Sequence, residues 1–269
     1  MQEVNAQQSH VLFNALGISA IGLVAGLIVP SRVGAYAKVP IIMKLDNLSY
    51  ETGVSAVNAE TFLDLVYICC AGIVSFFILS SFFLSHTSLS IALILLTIGL
   101  LAGVSALLIL LRNSEEISSK LAAISSGKNV FIRSPARFMG KIMELILSTK
   151  KLLRRKNLVS GLGSTTLISQ FFGVVGLFLV IESTHTVLPF PEVFALLTIS
   201  YIIGIVSLVP GGFGASDLSL IVLLGSEGIP IAVATNIAVL WRVAMYLPIF
   251  VMIGIFFLEQ KLSGRSIIL

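Results

Sequence analysis

The stretch Val209-Pro210-Gly211-Gly212-Phe213-Gly214-Ala215 decides how this chain folds, because it stops a long apolar run with no aqueous loop written around it. Proline removes a backbone donor and clashes with the preceding turn, while glycine admits backbone conformations closed to other residues. A helix stopped inside hydrocarbon leaves amides and carbonyls that survive only where protein or a water-filled cavity surrounds them. The same break is written 180 residues earlier as Val29-Pro30-Ser31-Arg32-Val33-Gly34-Ala35, at the end of the apolar run Val11 to Val29. Paired broken segments in corresponding positions point to a substrate site between two repeats.

The remainder of the chain is written for a bilayer. Of its 269 residues 57% are hydrophobic and 11% charged, and the mean hydropathy is +1.05, outside the range of a soluble domain. Crossing the hydrocarbon takes about 20 apolar residues. Four runs meet that length: Phe62 to Leu84, Ser88 to Leu111, Leu158 to Ile181 and Ile229 to Leu258. Val11 to Val29 and Val193 to Val209 end at the breaks. The first ten residues lack the basic region of a signal peptide, so the run that follows is expected to stay in the mature protein. Cys69 and Cys70, adjacent in an apolar run, read as small apolar groups.

Charge placement orients these spans. Of 17 lysines and arginines, 11 lie between Arg112 and Lys156, which puts a basic loop over residues 112–157 in the cytoplasm, with lipid head-group binding as the sharper alternative to a pure topology signal. Within it, Phe138, Met139, Ile142, Met143, Ile146 and Leu153 recur at helical spacing, predicting an interfacial amphipathic helix from Arg137 to Leu153. Three crossings then separate the two breaks. An odd number makes the first break approach from the cytoplasm and the second from outside, so the repeats are expected to be inverted. Each is a broken or re-entrant helix pair followed by a span, in an all-α polytopic membrane protein that forms one transmembrane domain over residues 1–269.

Arg242 lies deep in the last span, where a charge costs about 2.5 to 3.5 kcal/mol and is paired or functional. Asp217, in the short return after the second break, and Glu227, at the following turn, are its candidate partners. Two roles stay open: a strut pinning the return to the span, and a planar clamp for phosphate. Gly211, Gly212 and Gly214 bare the backbone where a helix start attracts anions, or else make a simple turn. In the first repeat Arg32 follows Pro30, and Glu60 and Asp64 open the next span. Asp64 in a first turn suits the helix dipole without any function, and Arg32 and Lys38 suit snorkelling topology residues. His10, His86 and His185 are far apart, and no metal-ligand spacing, nucleophile elbow or nucleotide loop is present. The expectation is no enzyme, no metal, no cofactor and no nucleic-acid partner.

These residues resemble the flippase-like transmembrane region of lysylphosphatidylglycerol synthases, found also in some archaeal dolichol-linked glycosyltransferases and as stand-alone membrane proteins. The family's Pro-x-Arg-x-Gly-Glu break, Glu-Arg-x-x-Asp segment, Pro-Gly-Gly-x-Gly break and Tyr-Arg span are similar to Pro30 to Ala35, Glu60 to Asp64, Pro210 to Gly214, and Trp241-Arg242 with Tyr246. The resemblance covers about residues 20–258. It departs at Ala35, where the family has Glu, at Thr61, where it has Arg, and at Asp217, near a common Glu; the two spans ahead of the family's first break have no counterpart here.

The resemblance implies translocation of a phospholipid or polyprenyl-phosphate-linked lipid between leaflets of the cell membrane. Arg32 and Arg242 would contact phosphate, and Asp64 and Asp217 would hold those arginines or read a cationic head group. Gly34, Glu60, Pro210, the three glycines and Tyr246 would line the path. The rival is a non-transporting scaffold or accessory subunit for a lipid-modifying enzyme. Membrane lipids are the expected partners in both.

Overall fold

The computed structural model describes residues 2–28, 31–46, 49–79, 98–99, 101–103, 105–106, 108–109, 112–120, 146–147 and 149–262. Among these no strand occurs, and the chain is all-α. It runs as α1 (Gln2–Ile28), a first 3-10 segment (Ser31–Ala37), α2 (Lys38–Asp46), α3 (Tyr50–Ile78), α4 (Lys156–Ser183), α5 (Phe190–Val206), a second 3-10 segment (Pro210–Gly212), α6 (Ala215–Ser226) and α7 (Ile231–Leu262). Pro30, most of the expected span Ser88 to Leu111 and most of the helix Arg137 to Leu153 lie outside the described residues; the described parts of that span, 98–99, 101–103, 105–106 and 108–109, are helical.

Among the described residues three helices are long and apolar enough to cross a membrane: Tyr50–Ile78, Lys156–Ser183 and Ile231–Glu259. The apolar part of α1, Ala15–Ile28, and the whole of α5 are shorter. At about 1.5 Å per residue, the 17 residues of α5 reach about 25 Å and the 12 of α6 about 18 Å. Neither spans about 30 Å of hydrocarbon. Each half therefore has the order expected: an apolar helix that stops, a tight 3-10 segment, a short return helix and a long span.

Local chemistry sets the boundaries. The Ser49 hydroxyl accepts from the Thr52 amide and starts α3. Pro189 and Pro191 open α5, where a missing amide costs nothing because the first turn has no partner for it. Gly228, with φ of 83°, turns the chain from α6 into α7.

The halves pack by exchanging partners. The first helix of one half lies against the last helix of the other, α1 on α7 and α3 on α5, and the two 3-10 segments touch each other. Gly17 and Gly72 permit these crossings: a β-carbon on Gly17 would run into the Phe256 ring of α7, and one on Gly72 would come within 2.9 Å of Ile202 of α5. The main core joins Leu177 and Ile181 of α4, Val193, Leu196 and Ile199 of α5, Leu220 and Leu224 of α6, and Ile237 of α7. A smaller cluster of Val39, Val54 and Val57 locks α2 to α3. Element order is thus duplicated. The opposite sense of the halves across the membrane depends on the crossing at residues 88–111, of which only short pieces are among the described residues, and stays an expectation.

Candidate functional site

The second break is a sequence of conformations that side chains resist. Gly211, Gly212 and Gly214 have φ of 61°, 66° and 80°, and Leu208 just before them is held at 55°, a region a non-glycine residue enters at a cost. Gly212 is doubly constrained, because a β-carbon there would come within 3.3 Å of both the Gly204 α-carbon and the Ser216 hydroxyl. The freed backbone groups find partners. The Ser216 hydroxyl donates to the Gly212 carbonyl at 3.0 Å, and the Ser207 hydroxyl donates to the Gly204 carbonyl at 2.7 Å while accepting from the Val209 amide.

Arg242, the twelfth residue of α7, closes over this break. Its Nε donates to Asp217 Oδ1 at 2.5 Å, and Nη2 reaches Asp217 Oδ2 at 3.0 Å, Ser216 Oγ at 2.5 Å and the Gly212 carbonyl at 3.3 Å. Nη1 donates to the Tyr246 hydroxyl at 2.7 Å and the Gly211 carbonyl at 3.2 Å. The guanidinium also stacks on the Phe213 and Tyr246 rings, 4.8 and 5.5 Å from their centroids. Five N–H donors meet six acceptors, so the fork is fully engaged. Asp217 Oδ2 accepts from the Gly214 amide as well, at 3.0 Å, so the start of α6 is capped by its own carboxylate. Of the two candidate partners, Asp217 is the one that pairs with Arg242. Glu227 lies at the turn, where burial and, second, the charge of Glu192 raise its pKa.

The first break uses the same devices in a different register. Gly34 packs so closely on α1 that a β-carbon would collide with the backbone of Gly26. The equivalent contact in the second half is Gly212 on Gly204, and both pairs are eight residues apart. By this contact Gly34 matches Gly212, whereas the repeated motif aligns it with Gly214. Beyond Gly34, the Tyr36 hydroxyl bonds Asn58 of α3, and the ammonium of the buried Lys38 donates to both carboxylate oxygens of Glu60, each at 2.8 Å. Asp64 accepts from Thr166 of α4 at 3.0 Å. The side chain of Arg32 lies outside the described part.

The structure therefore gathers Pro210, Gly211, Gly212, Gly214, Asp217, Arg242 and Tyr246 into one cluster, with the first 3-10 segment touching the second and Gly34 of that first segment packed on α1. Glu60 belongs to a separate pair, and Asp64 to the contact with α4. A family model described as the lysylphosphatidylglycerol synthase TM region matches residues 4–253. The chain belongs to that family. No curated protein and no solved structure matches. For a lysylphosphatidylglycerol synthase TM-region protein, a multi-pass membrane chain, Lys38, Glu60, Asp217 and Arg242 are paired charges beside the breaks, the lysine buried and the other three partly exposed.

Sequence reasoning missed Lys38, Ser216, Gly26 and Gly204 as parts of this arrangement. A signal for the glycines was present: Gly26 and Gly22 form a small-x-x-x-small pair on α1, the spacing at which two backbones approach. For Lys38 the signal was the family's cationic habit near carboxylates on the next span, assigned instead to Arg32.

Proposed function

We propose that the chain moves an anionic or zwitterionic lipid between the leaflets of the cell membrane, its head group passing between the two breaks. The observation that carries this is their meeting: two interrupted helices from two halves of the chain touch inside a bundle of apolar helices, with an ion pair beside each. Backbone interrupted at membrane depth, next to charges, is how transporters build a polar station. Inversion of the halves would let each break serve one leaflet. Gly34, Glu60, Asp64 and Pro210 to Gly214 line the path in this reading, Arg32 is assigned to it from the sequence, and Asp217 and Tyr246 hold Arg242 over the second break. No covalent chemistry is required.

The test is a leaflet-resolved assay: labelled phospholipid in vesicles holding the purified protein, with dithionite quenching of the outer leaflet. Protein-dependent movement faster than in empty vesicles is expected. Vesicles that contain folded protein and move lipid no faster than empty ones would overturn the proposal in favour of a scaffold for a lipid-modifying enzyme.

A further inference from the structure

The ion pairs beside the two breaks occupy matching places with their signs exchanged. Lys38 is the first residue of α2, directly after the first 3-10 segment, and its partner Glu60 is the eleventh residue of α3. Asp217 is the third residue of α6, after the second segment, and its partner Arg242 is the twelfth of α7. In one half the return helix brings the cation, and in the other the anion.

The two pairs differ in what they leave open. Arg242 has all five donors engaged, and Asp217 is further held by the Gly214 amide. Lys38 has three donors, and among the described residues Glu60 is the one acceptor it meets. The Glu60 side chain is 44% exposed, against 26% for Asp217. Lys38 is also aimed: its stem lies across Gly22 of α1, where a β-carbon would sit 2.7 Å from the lysine Cε. A buried stem delivers a fixed ammonium to the edge of an accessible carboxylate.

We propose that Lys38 and Glu60 are a head-group site, Lys38 donating to a lipid phosphate oxygen and Glu60 accepting from an O–H or N–H group farther out on the same head group. An ammonium with a donor to give suits a phosphate, and a carboxylate with uncovered lone pairs suits a hydroxyl or amine. The net-neutral pair does not attract a bare anion, which makes the second contact necessary. Phosphatidylglycerol and phosphatidylethanolamine offer both groups; phosphatidylcholine, with no donor on its ammonium, offers one. This inference takes from the proposed translocation only the reason a head group arrives there.

The experiment is native mass spectrometry of the full chain in detergent with phosphatidylglycerol, phosphatidylethanolamine or phosphatidylcholine of identical acyl chains. Charge-assisted bonds of about 1.5 to 3 kcal/mol predict at least about tenfold higher occupancy for the first two lipids. Lys38→Met/Glu60→Met, which removes both charges and so leaves none buried alone, should bind all three equally, at or below the parental phosphatidylcholine level. Glu227→Gln, at the far turn, is the control and should keep the parental preference.

A parent without preference, or a folded double variant that keeps it, overturns the proposal. Displacement of bound phosphatidylglycerol by millimolar inorganic phosphate would assign the site to phosphate alone and overturn the role of Glu60; failure to displace supports the paired contact with a lipid. The two proposals fail separately. A parent that binds selectively and moves no lipid refutes translocation alone, and a double variant that moves lipid at the parental rate refutes the Lys38 site alone.

Discussion

Cutting the bond between Arg242 and Asp217 is the sharpest probe of how the second break is held. Arg242→Met leaves the Asp217 carboxylate with the Gly214 amide as its remaining donor among the bonds described above, and strips the carbonyls of Gly211 and Gly212 of their guanidinium contacts. Removing one partner of a buried pair costs about 3 to 5 kcal/mol, and the arginine and aspartate side chains, 15% and 26% exposed, place this pair near the lower end. Asp217→Asn keeps the shape and removes the charge. For residues in direct contact a double-mutant cycle should return a coupling of about 1.5 to 3 kcal/mol.

The assay is reversible unfolding of the four proteins in mixed micelles by added denaturing detergent, followed through Trp241, which packs on Gly176 of α4. Arg242→Lys also loses stability here, because three donors on one nitrogen cannot reach Asp217, Tyr246 and two glycine carbonyls together. That variant does not separate strut from clamp; the cycle does. A coupling below about 0.5 kcal/mol, the scatter of independent sites, would refute the strut.

Gly212→Ala should destabilise the fold by about 1 to 3 kcal/mol, the cost of a side chain held at positive φ against Gly204, and should slow lipid movement; a variant with the parental melting point and rate would show that the break is loose. Gly34→Ala, its counterpart by contact, should shift the first 3-10 segment off α1, read as loss of a disulfide engineered between them that the parent forms. Cysteines placed at Glu51 and Val187, both exposed, should react with an impermeant thiol reagent from opposite membrane faces, and labelling from one face would end the inverted arrangement. Burial and then Glu192 raise the Glu227 pKa above its ordinary 4.5, so its folded form prefers the proton. Stability is then complete below pH 4.5 and falls as pH rises through the raised value. Glu227→Gln should melt with the parent at pH 4 and above it at pH 8, and equal melting at both pH values would refute the shift.

Membrane class, the two breaks and the Arg242 contact with the return helix were legible in the sequence because each follows from local properties. Hydrocarbon admits only apolar runs of sufficient length, proline and glycine stop a helix wherever they stand, and a charge deep in a span needs a partner near in the chain. The choice between Asp217 and Glu227 was not legible. Asp217 is 25 residues from Arg242 and Glu227 closer still, so separation favours the wrong one; the direction in which α6 leaves the break, set by three positive φ angles, decides it.

The same limit hid Lys38. A lysine near an expected cytoplasmic surface carries no mark of burial, and its bond to Glu60 across 22 residues exists because Gly22 and Gly26 let the first segment fold flat on α1. It also hid the register of the duplication. The sequence aligns Pro30 with Pro210 and Gly34 with Gly214, since breakers are what it can write locally. The packed structure pairs Gly34 with Gly26 and Gly212 with Gly204. Where a helix stops is a property of its own residues, but which glycine bears a crossing depends on the helix it meets, and that surface exists only once the chain has folded back on itself.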